Sequence, residues 1–161
     1  MGSVFTPLVF GPDGYSLTVN GRQSIPQMFR NMTIGSVYVE FLRIDSNNTP
    51  THLRNLLKNH AIIKVDFTSQ YGNIQGRIYE GARIHVQTNI QLSDGDYQPG
   101  ELFVKPVQYL GPSHSTARTC RIDFRAGITL DHLLWVIENN RLQHFSFVVL
   151  NCKYYGCRDF V

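Results

Sequence analysis

The sequence predicts a single α+β domain built on a mostly antiparallel sheet with few helices. Three observations carry this expectation. Short runs of apolar and polar residues in alternation recur along the chain, separated by Gly, Pro, Asn and Asp. One stretch, residues 130 to 141, repeats its apolar side chains at clear helical spacing. No repeat or low-complexity linker divides the 161 residues, 42% of which are hydrophobic, so one core of useful size is expected.

The elements follow in order. Val4 to Phe10 and Tyr15 to Val19 flank Gly11-Pro12-Asp13-Gly14 and read as a hairpin with a four-residue loop. Ser24 to Met32 reads as a short helix, with Ser24 as cap and Pro26 in the first turn. Residues 1–34 thus form an N-terminal hairpin and helix ahead of a core at 35–161. Ser36 to Ile44 reads as a strand with Val37, Val39 and Phe41 on one face and Tyr38, Leu42 and Ile44 on the other. Asp45 to Lys58 is polar, carries Pro50 and reads as a loop with at most one helical turn.

His60 to Phe67 is the next strand. Ala61, Ile63, Val65 and Phe67 share its apolar face, and His60, Ile62, Lys64 and Asp66 share the other. Asn73 to Tyr79 and Ala82 to Leu92 read as two strands joined by a turn at Glu80-Gly81. In the second, Ile84 and Val86 oppose Arg83, His85, Gln87 and Asn89. Ser93 to Gly100 reads as a turn, and Leu102 to Leu110 as a strand that Pro106 confines to an edge or a bulge. The helix Leu130 to Arg141 takes Thr129 as its N-cap and Asp131 in its positive first turn. His144 to Leu150 closes the series as a strand.

Composition narrows the function. Fifteen basic and twelve acidic residues leave a net charge of +3, and the basic residues are scattered, which argues against a nucleic-acid surface. No apolar run reaches the ~18 residues of a membrane span. Met1 to Phe10 carries Pro7 and lacks a basic start, so it does not read as a secretory signal. Three cysteines, Cys120, Cys152 and Cys157, leave an odd thiol after any pairing, which fits a reducing, cytoplasmic setting. Their spacing suits no zinc knuckle, and neither metal nor cofactor is expected. Cys120 is expected in or beside the core. His114, His132 and His144 read as a loop, a first-turn and a strand-edge residue.

The chemistry-bearing pair is Cys157, within Gly156-Cys157-Arg158-Asp159-Phe160, and His60, within Asn59-His60-Ala61. A thiol needs a base to become thiolate, and imidazole is the usual one. Each residue alone reads more simply, Cys157 as a packed thiol and His60 as a solvated strand end. Their order, with the histidine strand first and Gly-Cys-Arg-aromatic last, resembles a family of small fungal proteins of unassigned function over residues 35 to 161. It also resembles the permuted papain-like thiol enzymes, among them the lecithin:retinol acyltransferase-like and NlpC-like groups.

That resemblance implies a permuted papain-like arrangement. Cys157 would be the nucleophile, His60 the base, and His85 or Gln87 the group that orients the imidazole. It implies a cysteine-dependent hydrolase, acyl transferase or cyclase acting on a small acyl, amide or thioester substrate, in fungal natural-product biosynthesis. Ala61 departs from the aromatic residue that follows the histidine in that family. Four residues after Cys157 leave no room for the activating helix, so the expectation includes a homo-oligomer or a partner chain completing the region after Val161. The competing expectation is a non-catalytic binding or interaction protein that keeps the fold.

Overall fold

The computed structural model describes residues 5–42, 61–74, 77–87, 95, 97–150 and 153–155. Six strands form one antiparallel sheet: β1 (Tyr15–Ser16), β2 (Ile34–Leu42), β3 (Ala61–Ile74), β4 (Arg77–Gln87), β6 (Glu101–Val107) and β7 (Thr116–Ile122). Their spatial order is β1-β6-β4-β3-β2-β7. A second sheet of three strands joins β5 (Tyr97–Pro99), β8 (Ser146–Leu150) and β9 (Lys153–Tyr155) in the order β5-β8-β9. The helices are α1 (Leu17–Asn20), α2 (Gln27–Arg30) and α3 (Leu130–Asn139). The α+β class with a mostly antiparallel sheet is as the sequence predicts.

The core lies on one face of the large sheet. Val37, Val65, Phe67, Ala82, Ile84, Val86, Leu102 and Val104 project from the strands, and Leu130, Leu134 and Ile137 of α3 meet them. Phe29 of α2 packs edge-to-face on Phe67 and Tyr71, with ring centroids 5.3 and 5.2 Å away. α3 is held at both ends. The Thr129 hydroxyl accepts the His132 backbone N–H while His132 Nδ1 accepts that of Thr129, a reciprocal cap. At the other end Arg141 takes a left-handed φ of 56°. Its N–H donates to the Glu138 carbonyl and that of Leu142 to the Ile137 carbonyl. This is the six-to-one and five-to-two pattern that usually takes glycine at the Arg141 position.

Several predicted elements take other forms. The N-terminal hairpin does not form among the described residues: residues 5–10 are irregular, Gly11 to Gly14 form a turn, and Tyr15–Ser16 is a two-residue strand on β6. The chain then turns helical because the Ser16 hydroxyl accepts the Val19 N–H and caps α1. The helix expected over Ser24 to Met32 shrinks to a 3-10 turn at Arg22–Ser24 and the single turn Gln27–Arg30. Pro26 is the reason: it forces Ile25 into extended backbone, at φ −86° and ψ 129°.

No turn lies at Glu80-Gly81, which sits inside β4 opposite Asp66. β3 instead runs on to Ile74, which pairs with Arg77. Gly81 serves close approach, since a Cβ there would lie 2.0 Å from the Val65 carbonyl oxygen. The expected turn at Ser93 to Gly100 holds the short strand β5. Pro106 does lie where a sheet edge opens. It pairs with Ala82 on one side, while β1 reaches only Phe103 and Val104 on the other. The loop expected at Asp45 to Lys58 lies outside the described residues.

Candidate functional site: a charged sheet face and an exposed edge

The second face of the large sheet is also buried, but with charge. Period-2 alternation places Glu40, Lys64, Asp66, Arg83 and His85 on it, opposite the core residues Val37, Val65, Ile84 and Val86. Glu40 and Lys64 are both 0% exposed. Charges so buried need partners, and the loop between β6 and β7 supplies them. Lys64 Nζ donates to Asp66 Oδ1 and, at 3.1 Å, to the Tyr109 carbonyl oxygen. The same ammonium lies 4.7 Å from the centre of the Tyr109 ring. Asp66 Oδ2 accepts the Gly111 N–H at 2.9 Å, and Glu40 Oε1 accepts the Ser113 N–H at 2.7 Å.

Three successive anchors therefore fix residues 109 to 113 over the sheet. Burial pushes the Tyr109 phenol above its ordinary range. The Arg83 guanidinium pulls against this, and the Glu40 and Asp66 carboxylates push with it. Glu40 Oε2 and Arg83 Nε are buried without a hydrogen-bond partner among the described residues.

The anchored loop delivers β7. The Ser113 carbonyl accepts the Thr116 N–H at 3.1 Å, and the two hydroxyls lie 3.0 Å apart. β7 then pairs with β2 from Val37↔Ile122 to Leu42↔Thr116, with Glu40 opposite Thr119. β7 is the last strand of the sheet among the described residues. Every residue from Ala117 to Ile122 is exposed. Cys120 belongs to this strand and is exposed, which corrects its expected place in or beside the core. The cause is position: no element among the described residues covers that side of β7.

The sequence-predicted site residues divide. His85 and Gln87 lie on β4, on the face away from Ile84 and Val86, which point into the core. His85 is buried and stacks on Phe103, with centroids 5.7 Å apart and planes at 19°. Gln87 pairs with Glu101 in the neighbouring strand. His60, Cys157 and Asn89 lie outside the described residues, as does Cys152. Sequence reasoning placed Lys64 and Asp66 on one strand face but missed their burial together with Glu40, and it missed β7 altogether. The available signal for the first was a pair of opposite charges two apart in an otherwise apolar strand.

A pocket of about 60 Å³ lies beside Pro7, Leu8, Tyr71, Arg77 and Tyr79, far below the ~300 Å³ at which small-molecule sites begin. Among the described residues no three His, Cys, Asp or Glu side chains converge as a metal site. No helix among them is long and apolar enough to cross a membrane. Comparison with known protein families, curated proteins and solved structures gives no match.

Proposed function

We propose that this chain is a non-catalytic interaction protein that presents the edge of β7 to a partner. One observation carries the reading: a seven-residue edge strand, exposed from Ala117 to Ile122, is held in place by buried charge. Edge strands carry unused N–H and C=O groups and invite strand addition. Proteins commonly shorten or cover such edges, as this chain does at the two-residue β1. Here two fully buried charged residues are spent on holding the loop that leads to β7. The test is a spectrum of backbone amides in the labelled full chain, titrated with seven-residue extended peptides of varied composition. Shifts should concentrate on residues 116 to 122 and their β2 partners. A panel that leaves those amides unmoved rejects the reading.

A second reading is the cysteine-dependent enzyme, with Cys157 as nucleophile, His60 as base and His85 or Gln87 as orienter in a permuted papain-like arrangement. What favours it is strand order. β3 begins at Ala61, directly after His60, and runs antiparallel beside β4, which carries His85 and Gln87. On this reading Cys157 alkylates well below the free-thiol pKa of about 8.5, and His60→Ala moves that profile upward. An unshifted profile in the wild-type chain rejects it.

A further inference from the structure

We infer that β7 receives an acidic extended segment as an additional antiparallel strand, with acidic residues three apart. The inference rests on the reading of β7 as an interaction edge and names the partner's chemistry. The strand Thr116–Ile122 contains two arginines and no acid. Arg118 stands opposite Phe41, on the core-side face of the sheet, and Arg121 stands opposite Tyr38, on the charged face. Both are exposed, and Arg125 follows, also exposed, with Asp123 as the acid nearest in sequence. Among the described residues none of the three arginines has an ion-pair partner.

A seventh strand would place one residue directly opposite each residue of β7. Acids facing Arg118 and Arg121 would then be separated by two residues and would point to opposite faces of the extended sheet. Backbone pairing supplies affinity in strand addition, and side-chain pairs supply selectivity.

Charge also decides between this partner and a second copy of the chain. Two β7 strands paired antiparallel bring four arginines into one narrow ribbon. The registers that oppose Arg118 to its own copy, or Arg121 to its own copy, set like charges face to face, which is destabilising. An acidic strand neutralises the same groups.

The experiment uses the full chain and the peptide Thr-Glu-Val-Thr-Glu-Val-Thr, which places its acids opposite Arg121 and Arg118. Its affinity, measured by fluorescence anisotropy, should exceed that of the Lys-for-Glu peptide about tenfold. The advantage should shrink as salt rises. The charge-reversed variant R118E/R121E alters two exposed side chains and should invert the preference. Peptides N-methylated on alternate residues separate strand addition from charge attraction, because one frame blocks pairing and the other leaves it intact. One frame should lose binding and the other keep it. Equal binding of both frames overturns strand addition. Neutral or basic peptides that shift β7 amides as strongly as the acidic one overturn the acidic partner and leave the interaction reading standing. If no peptide of any charge moves those amides, both fall.

Discussion

Leu134 meets one face of the large sheet and Lys64 projects from the other, and both are fully buried by opposite means. The core face is closed by apolar packing from α2 and α3, which is non-directional and tolerates gradual change. The charged face is closed by a loop whose backbone groups and ring answer particular atoms of Glu40, Lys64 and Asp66. The first mode of burial fills space. The second fixes a position, and the position it fixes is that of β7. The difference shows where this fold spends desolvation to gain placement.

The sharpest test of that contrast is Lys64→Ala. It leaves the Asp66 carboxylate buried without its cation, so about 3–5 kcal/mol of unfolding free energy should be lost, read from the urea midpoint. Pairing Lys64→Met with Asp66→Leu should recover part of it, because no unpaired charge remains buried while the Tyr109 carbonyl and the Gly111 N–H lose their partners. A single variant costing under ~1 kcal/mol would mean that water already reaches the cluster. On the core face, Leu134→Ala should cost about 2–5 kcal/mol through lost transfer energy and a cavity, with no companion substitution able to restore it by charge.

Smaller effects come from the helix ends that frame the core face. Arg141→Gly removes the steric cost of a side chain at positive φ and should raise stability by about 1 kcal/mol, seen as a higher thermal midpoint. A drop would show that the Arg141 side chain contributes more than its backbone costs.

The smallest effect should appear only in acid. Burial opposes ionisation of Asp131, but hydrogen bonds from Arg30 and Arg22 outweigh it and hold the carboxyl below its usual range. A depressed folded value means that the contribution is fully present above about pH 4 and is lost as pH falls through the folded pKa. Asp131→Asn should therefore flatten the acid limb of stability against pH and leave its slope between pH 6 and 8 unchanged.

The sequence made the core face legible and the charged face only half so. Alternation separated Ile84 and Val86 from Arg83 and His85, and helical spacing with Thr129 and Asp131 located α3. Lys64 and Asp66 were read onto the correct face, yet their burial was invisible. The groups that cover them lie 45 residues further on, and local pattern carries no information at that range. β7 escaped notice because Ala117 to Ile122 is exposed on both faces, so no apolar side stands out. Pro26 and Gly81 misled for a related reason. Each residue type has two uses, and only the neighbouring chain decides which applies. For the candidate site, motif order drew attention to His60 and Cys157, which lie outside the described residues, and away from the exposed edge.

The anchors of the loop over the charged face also set an order of events in time. The contacts from Tyr109, Gly111 and Ser113 span 45, 45 and 73 residues of chain. Closing such distances is entropically costly before the strands between them have registered, so the loop can lock only onto a sheet that already exists. Its opening should therefore add mainly to the unfolding rate rather than slow refolding. We expect the loop to loosen before the centre of the sheet under native conditions. β7, placed by that loop, would then exchange its amide hydrogens sooner than β3 and β4 at the centre of the sheet.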